Sequence, residues 1–196
     1  MSEKYLETIK ADGGKLYHLE FHQSRLNGVL KALGATQTYQ LSKLLSPPKH
    51  GLFRCRVLYD VQSINVEYFP YKKRTIESFK LVYSDEIEYE KKYENRELLN
   101  TLFELRGSCD EIIIVKSGLI TDTSIANLAF YDGEIWLTPK RPLLRGTTRE
   151  RYLKHKKIVE KDIFVDDLRD FSKMALMNAM VDFDIIASPN LEEIIC

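Results

Sequence analysis

The run from Glu111 to Pro139, EIIIVKSGLITDTSIANLAFYDGEIWLTP, constrains the fold of this chain more than any other stretch. Three strand-like apolar runs are separated by the turn signals KSG and YDGE, a pattern that predicts consecutive strands of a largely buried sheet. Into that core feeds TDTSIAN, with an acid, hydroxyl residues and an Asn directly ahead of apolar residues. Polar side chains entering a core cost free energy unless their hydrogen bonds are satisfied. Their partner is either the local backbone, as in a β-turn or a capping segment in which Asp122 bonds its own neighbours, or a ligand.

The rest of the chain reads as alternating strands and helices. Tyr5 to Ile9 and Lys15 to Tyr17 flank ADGG, which carries the Asp-Gly hairpin signal. Leu19, Leu26, Val29, Leu30 and Leu33 recur at helical spacing, with Gly34 as a natural C-cap. Leu52–Tyr59, Ser63–Pro70 and Ser78–Tyr83 alternate apolar and polar residues, as strands of a half-buried antiparallel sheet do. Leu98, Leu99, Leu102 and Phe103 form one face of a second helix, closed by Gly107. A third helix is expected over TTRERYLKHKKIV, with Thr147 or Thr148 as N-cap and Glu150 in its first turn. Short strands follow around ALMNAMV and DFDIIAS. The predicted fold class is α+β in two lobes: a small lobe over residues 1–83 and a larger one over 84–196, hinged between Tyr83 and Tyr93.

Composition narrows the function. The chain has 196 residues, enough for one large domain or two small lobes with real cores. Lysine plus arginine and aspartate plus glutamate both number 29, so no overall field draws the chain to nucleic acid or an anionic membrane. No apolar run is long enough to span a bilayer, and MSEKYLETIK lacks the apolar region of a secretory signal, so a cytoplasmic location is the default expectation. No Cys-x-x-Cys spacing occurs, and His18 and His22 lack an acidic third ligand, so no metal site is expected. No Ser-His-Asp or Cys-His set pairs up, and no nucleophile elbow is present. Gly146 ahead of a helix start would suit a phosphate, because the first N–H groups of a helix lack internal partners.

Order along the chain carries more than any single feature. Tyr5-Leu6-Glu7-Thr8-Ile9-Lys10 and His22-Gln23-Ser24-Arg25-Leu26 come first, then Lys92-Tyr93-Glu94-Asn95-Arg96, Asp122-Thr123-Ser124-Ile125-Ala126-Asn127 and Gly146-Thr147-Thr148-Arg149, and last Asn178-Ala179-Met180-Val181. This succession resembles the class IV family of pyridoxal-phosphate enzymes, which includes branched-chain and D-amino-acid aminotransferases and aminodeoxychorismate lyase. The matching family patterns are F-E-T-I-R with H-x-x-R-L, K-x-x-N-R, E-x-S-x-x-N and G-I-T-R. The resemblance implies the two-lobe fold type IV, with the N-terminal lobe shortened because the chain starts at the F-E-T-I equivalent.

The resemblance also implies a role for each position. Lys92 holds pyridoxal 5'-phosphate as a Schiff base and moves protons, with Lys91 as a rival for that role. Lys91 or Arg96 lowers the pKa of the lysine, and Arg96 is carried as a cofactor-binding residue. Asp122 faces the ring nitrogen; the family has Glu there, so a methylene is lost, a shortfall of roughly 1.5 Å that a closer backbone or a water must make up. Ser124 and Asn127 shape the turn around that acid. Arg25 and the N–H groups at Gly146, Thr147 and Thr148 take the phosphate. Asn178 and Ala179 line a closing turn. The implied partners are a small-molecule amino substrate and a second copy of the chain in a homodimer. The implied reaction is conversion of 4-amino-4-deoxychorismate to p-aminobenzoate and pyruvate, with amino-acid aminotransfer as the alternative and a cofactor-free binding relative as the third reading.

Overall fold

The computed structural model describes residues 3–186. It divides into two compact units, one running to Lys73 and taking back Lys91–Asn95, the other made of Arg74–Glu90 and the chain from Arg96 onward. In the first unit, β1 (Tyr5–Asp12) turns through Gly13 and Gly14, both at positive φ, into β2 (Lys15–Leu16). These strands join β3 (Leu52–Tyr59) and β4 (Ile64–Pro70) in an antiparallel sheet of order β2-β1-β3-β4. Side chains alternate across a strand, so every second residue of β1, from Tyr5 through Glu7 and Ile9 to Ala11, faces the core. Against that face packs α1 (Leu19–Ala32) through Leu26, Val29 and Leu30, and α2 (Leu41–Leu44) adds Leu41.

The second unit is built on a sheet of order β10-β9-β8-β7-β6-β5, with β11 and β12 branching from β8. Its strands are β5 (Phe79–Tyr83), β6 (Glu111–Lys116), β7 (Leu119–Thr123), β8 (Asn127–Tyr131), β9 (Trp136–Pro139), β10 (Val159–Lys161), β11 (Lys173–Asn178) and β12 (Asp182–Ile186). All of β7 and nearly all of β6 and β8 are buried, so the predicted core sheet is present. One face carries the larger core of Phe79, Ile113, Leu128, Phe130, Met174 and Leu176. Ala129, Ala175 and Met177 make a second cluster with Ile158, against which Tyr152 and Leu153 of α4 (Thr147–Lys154) pack. The remaining helix is α3 (Glu97–Glu104), followed by Gly107 at positive φ. Among the described residues no helix is long and apolar enough to cross a membrane.

Three expectations need correction. Phe79–Tyr83 does not extend the first sheet; it pairs in parallel with Glu111–Val115 of β6. That pairing moves the boundary from Tyr83 back to Lys73. Lys91–Asn95 returns to the first unit because Leu6 N–H donates to Lys92 O at 2.8 Å and Glu94 N–H to Lys4 O at 2.9 Å, laying the segment beside the start of β1. Lys92 therefore belongs to the first unit, whereas residues 146–149 belong to the second. Finally, the N-cap of α4 is Gly146 in extended backbone, not a threonine, and Thr147 and Thr148 are buried inside the first turn. The last residues of the DFDIIAS run lie outside the described residues.

Candidate active site

The opening polar stretch resolves into two kinds of satisfaction. Thr123 behaves as a local turn residue: its Oγ1 accepts from the N–H of Ile125 and Ala126, and its own N–H donates to Ala126 O. Asp122 does not bond its own turn. It is the penultimate residue of β7, opposite Asn127 of β8, whose Nδ2 donates to Oδ1 at 2.7 Å. Its Oδ2 accepts from the backbone N–H of Leu144 at 2.9 Å, twenty-two residues away. Asn127 Nδ2 also reaches Leu144 O at 2.8 Å, so one Asn ties the acid and the 140–146 loop together.

Gly146 completes this arrangement. A Cβ there would lie 2.1 Å from Asn127 Oδ1, a separation that real Cβ atoms do not reach. Glycine is thus required by close approach, with φ at an ordinary −70°. No side chain caps the helix that starts after it. Arg149 on that helix is wholly buried, donating from Nη2 to Pro139 O and Glu160 Oε1, while its Nε and Nη1 have no partner in the structure.

Burial pushes the Asp122 carboxyl up to about 6, against the opposing pull of the Leu144 N–H, Asn127 and the Arg149 charge. A raised folded-state value means the stability linked to this group is present below its unfolded value of 3.8 and lost as pH rises through about 6. Ionised Asp122 should therefore cost the cofactor-free protein about 3 kcal/mol above pH 7. Asp122→Asn removes that dependence. Urea unfolding should show the stability of the variant relative to the parent rising by roughly this amount between pH 4 and pH 8; a flat difference would show that Asp122 is not held in this environment.

The other expected residues fall in two groups. In the second unit, Arg96 donates from Nη2 to Ser124 O at 2.7 Å, so it holds the turn after Asp122. Asn178 accepts from the N–H of Met180 and Val181 through Oδ1 and reaches Ile125 O through Nδ2 at 3.4 Å. It caps the turn containing Ala179 and links that turn to the Ser124–Ala126 turn. Asp122, Asn127 and Gly146 are thus brought together by a hydrogen bond and direct approach, while Asn178 ties its own turn to the Ser124–Ala126 turn through Ile125 O. In the first unit, Arg25 donates from Nε and Nη2 to both oxygens of Glu7, each at 2.7 Å. Glu7 is fully buried and also lies 2.6 Å from His22 Nδ1. Lys92 is half-buried on the strand-like segment beside β1, as is Lys91. Among the described residues no cluster of His, Cys, Asp and Glu could hold a metal.

Sequence reasoning missed Glu7 and Arg149 as buried charges. Glu7 had a readable signal, since it shares the odd-numbered face of β1 with Tyr5, Ile9 and Ala11. Arg149 had none beyond its place in the G-T-T-R motif.

The amino-transferase class IV family profile matches residues 92–188. An uncharacterized protein of Haemophilus influenzae Rd is 40% identical over 180 residues, covering 89% of this chain and 96% of the relative. The crystal structure of a candidate 4-amino-4-deoxychorismate lyase from Haemophilus somnus 129PT is 35% identical, with a TM-score of 0.85, over 92% of this chain and 97% of that one. A hypothetical aminotransferase from Mycobacterium tuberculosis in its PLP-bound form shares the fold at 16% identity, with a TM-score of 0.79, over 96% of this chain and 83% of that one. The family match and the shared fold define a class IV aminotransferase-like protein. The chain belongs to the amino-transferase class IV family and is an enzyme of that kind.

Proposed function

We propose that this chain binds pyridoxal 5'-phosphate and converts 4-amino-4-deoxychorismate to p-aminobenzoate and pyruvate. The observation that carries the reading is the buried Asp122 carboxyl, gripped by Asn127 and the Leu144 N–H beside a helix start that only glycine can lead. Such a carboxyl fits a protonated ring nitrogen, because a cation beside it would offset the burial cost that now raises its pKa. The 140–146 loop, bonded to the acid and to Asn127, holds the shorter Asp122 side chain in one orientation. The Haemophilus somnus relative, similar over nearly its whole length, supports the lyase assignment.

When bound, the cofactor supplies an electron sink for charge developing on the substrate carbon. Lys92 would hold it through Nζ and carry the proton taken from the substrate. Arg25, its guanidinium oriented by both oxygens of Glu7, would meet the phosphate with the N–H groups at the start of α4. Asp122 would keep the ring nitrogen protonated. The two products account for every atom of the substrate, so no oxo acid is needed.

Aminotransfer is the second reading, favoured by the family profile itself and by the Mycobacterium tuberculosis fold relative. The two separate in one assay. Pyruvate release from 4-amino-4-deoxychorismate by the cofactor-loaded enzyme, without added oxo acid, is the expected result, and Lys92→Ala should lower it by at least about a thousandfold. Turnover only with an amino acid and oxo acid pair would replace the lyase with an aminotransferase.

A further inference from the structure

The peptide of Ser124 is gripped from both sides. Its carbonyl takes the 2.7 Å bond from Arg96 Nη2, and its N–H points to Glu111 Oε1 at 3.4 Å, a longer contact. Glu111, the first residue of β6, is fully buried. Its Oε1 also accepts from the Ile112 N–H at 3.0 Å, and its Oε2 takes a 2.6 Å bond from Arg74 Nη2. Burying a carboxylate costs several kcal/mol of desolvation, and the residues that follow, Ile112 to Val115, show that this strand packs well without charge. Nothing in the proposed chemistry uses Glu111 directly. What it and Arg96 share is Ser124, two residues beyond Asp122 in the turn that brings Asp122 opposite Asn127.

We propose that Arg96, Glu111 and Arg74 form a positioning clamp that fixes the Ser124 peptide and thereby aims the Asp122 carboxylate. The functional part of this inference rests on Asp122 serving as the acid that faces the cofactor ring. Arg96 is then a positioning residue, not a group that touches the cofactor. Its guanidinium is committed to a backbone carbonyl, and the buried Glu111 holds the N–H of the same residue. Between them the turn cannot rotate without breaking a charge-assisted bond.

The test uses the cofactor-free, isotope-labelled protein and reads amides by NMR. In Arg96→Gln, the Thr123 and Ala126 amides, both bonded within the turn, should exchange about tenfold faster. The resonance of the Leu144 amide, which donates to Asp122 and not to the Ser124 peptide, should shift. Amides of β11 should keep their protection. Arg96→Lys, which retains a cationic donor, should restore part of the wild-type pattern, and Glu111→Gln should act in the same direction as Arg96→Gln. An unchanged Leu144 resonance with unchanged turn exchange would overturn the clamp. So would protection lost evenly through the unit and not regained by lysine, since that marks a merely structural arginine. Should Glu111→Gln fail to fold, the Arg96 pair still decides. Failure of the wild-type protein to bind pyridoxal phosphate would remove the cofactor reading and leave these amide measurements standing.

Discussion

Gly146→Ala is expected to lower the affinity for pyridoxal phosphate by at least about a hundredfold and to destabilise the protein by about 1–3 kcal/mol, the range for forcing an extra carbon into a packed site. The added methyl would lie 2.1 Å from Asn127 Oδ1 and 3.2 Å from its Cγ, so one of the two must move. Asn127 is a short side chain whose Nδ2 is already bonded to Asp122 and to Leu144 O. Turning it away breaks both bonds and leaves the buried acid with one donor fewer. Moving the backbone instead displaces the start of α4. The first outcome disturbs the acid, and the second the helix start proposed to take the cofactor phosphate. Equilibrium dialysis of the cofactor against the variant, paired with thermal unfolding, measures both effects. Because φ at Gly146 is ordinary, the cost is steric and not conformational, and Asn127→Ala, which clears the space, should recover part of the stability of Gly146→Ala. No recovery in the double variant would refute the steric account.

Glu7→Gln should have the largest effect on stability, about 3–5 kcal/mol, as expected when one partner of a buried ion pair is removed. Burial would raise the Glu7 carboxyl, but Arg25 and the bond to His22 outweigh it and hold the group down at about 2, below its ordinary 4.5. With a lowered folded-state value, this stabilisation is complete above 4.5 and lost as pH falls toward about 2. The pH-dependent part amounts to about 3 kcal/mol. The melting temperature of the variant should therefore lie roughly 10 °C below wild type at pH 7 and converge on it near pH 2. Calorimetry across that range checks the sign. A constant gap would mean that the pair contributes nothing linked to ionisation. Cofactor affinity should fall as well, since Arg25 loses the two acceptors that fix its guanidinium.

These two positions also show what a linear reading can reach. The hairpin at Asp12–Gly14, the helix through Leu26 and Leu30 and the strands from Glu111 to Pro139 were legible because their side-chain periods repeat locally. The fate of Phe79–Tyr83 was not, because its partner β6 begins about thirty residues later and an alternating pattern fits either sheet. The return of Lys91–Asn95 to the first unit rests on backbone hydrogen bonds to Lys4 and Leu6, which no side-chain pattern encodes. At the site, the motifs contain Asp122, Asn127 and Gly146, yet the reason for the glycine is a close approach to a residue nineteen positions earlier. Arg96 and Asn178 read as ligand residues in the sequence, yet Arg96 bonds the Ser124 carbonyl and Asn178 the N–H groups of Met180 and Val181, backbone that shapes two neighbouring turns. Buried charges such as Glu111 and Arg149 look like surface residues in a sequence, since only the fold supplies the partners that let them stay inside.

Lys92 is the residue proposed to hold the cofactor, and a trapped adduct locates it directly. Wild-type protein loaded with pyridoxal phosphate should absorb near the edge of the visible range, and borohydride should abolish the band. Peptide mapping of the reduced protein should then find the adduct on Lys92 alone; an adduct on Lys91, on another lysine, or on none contradicts the account.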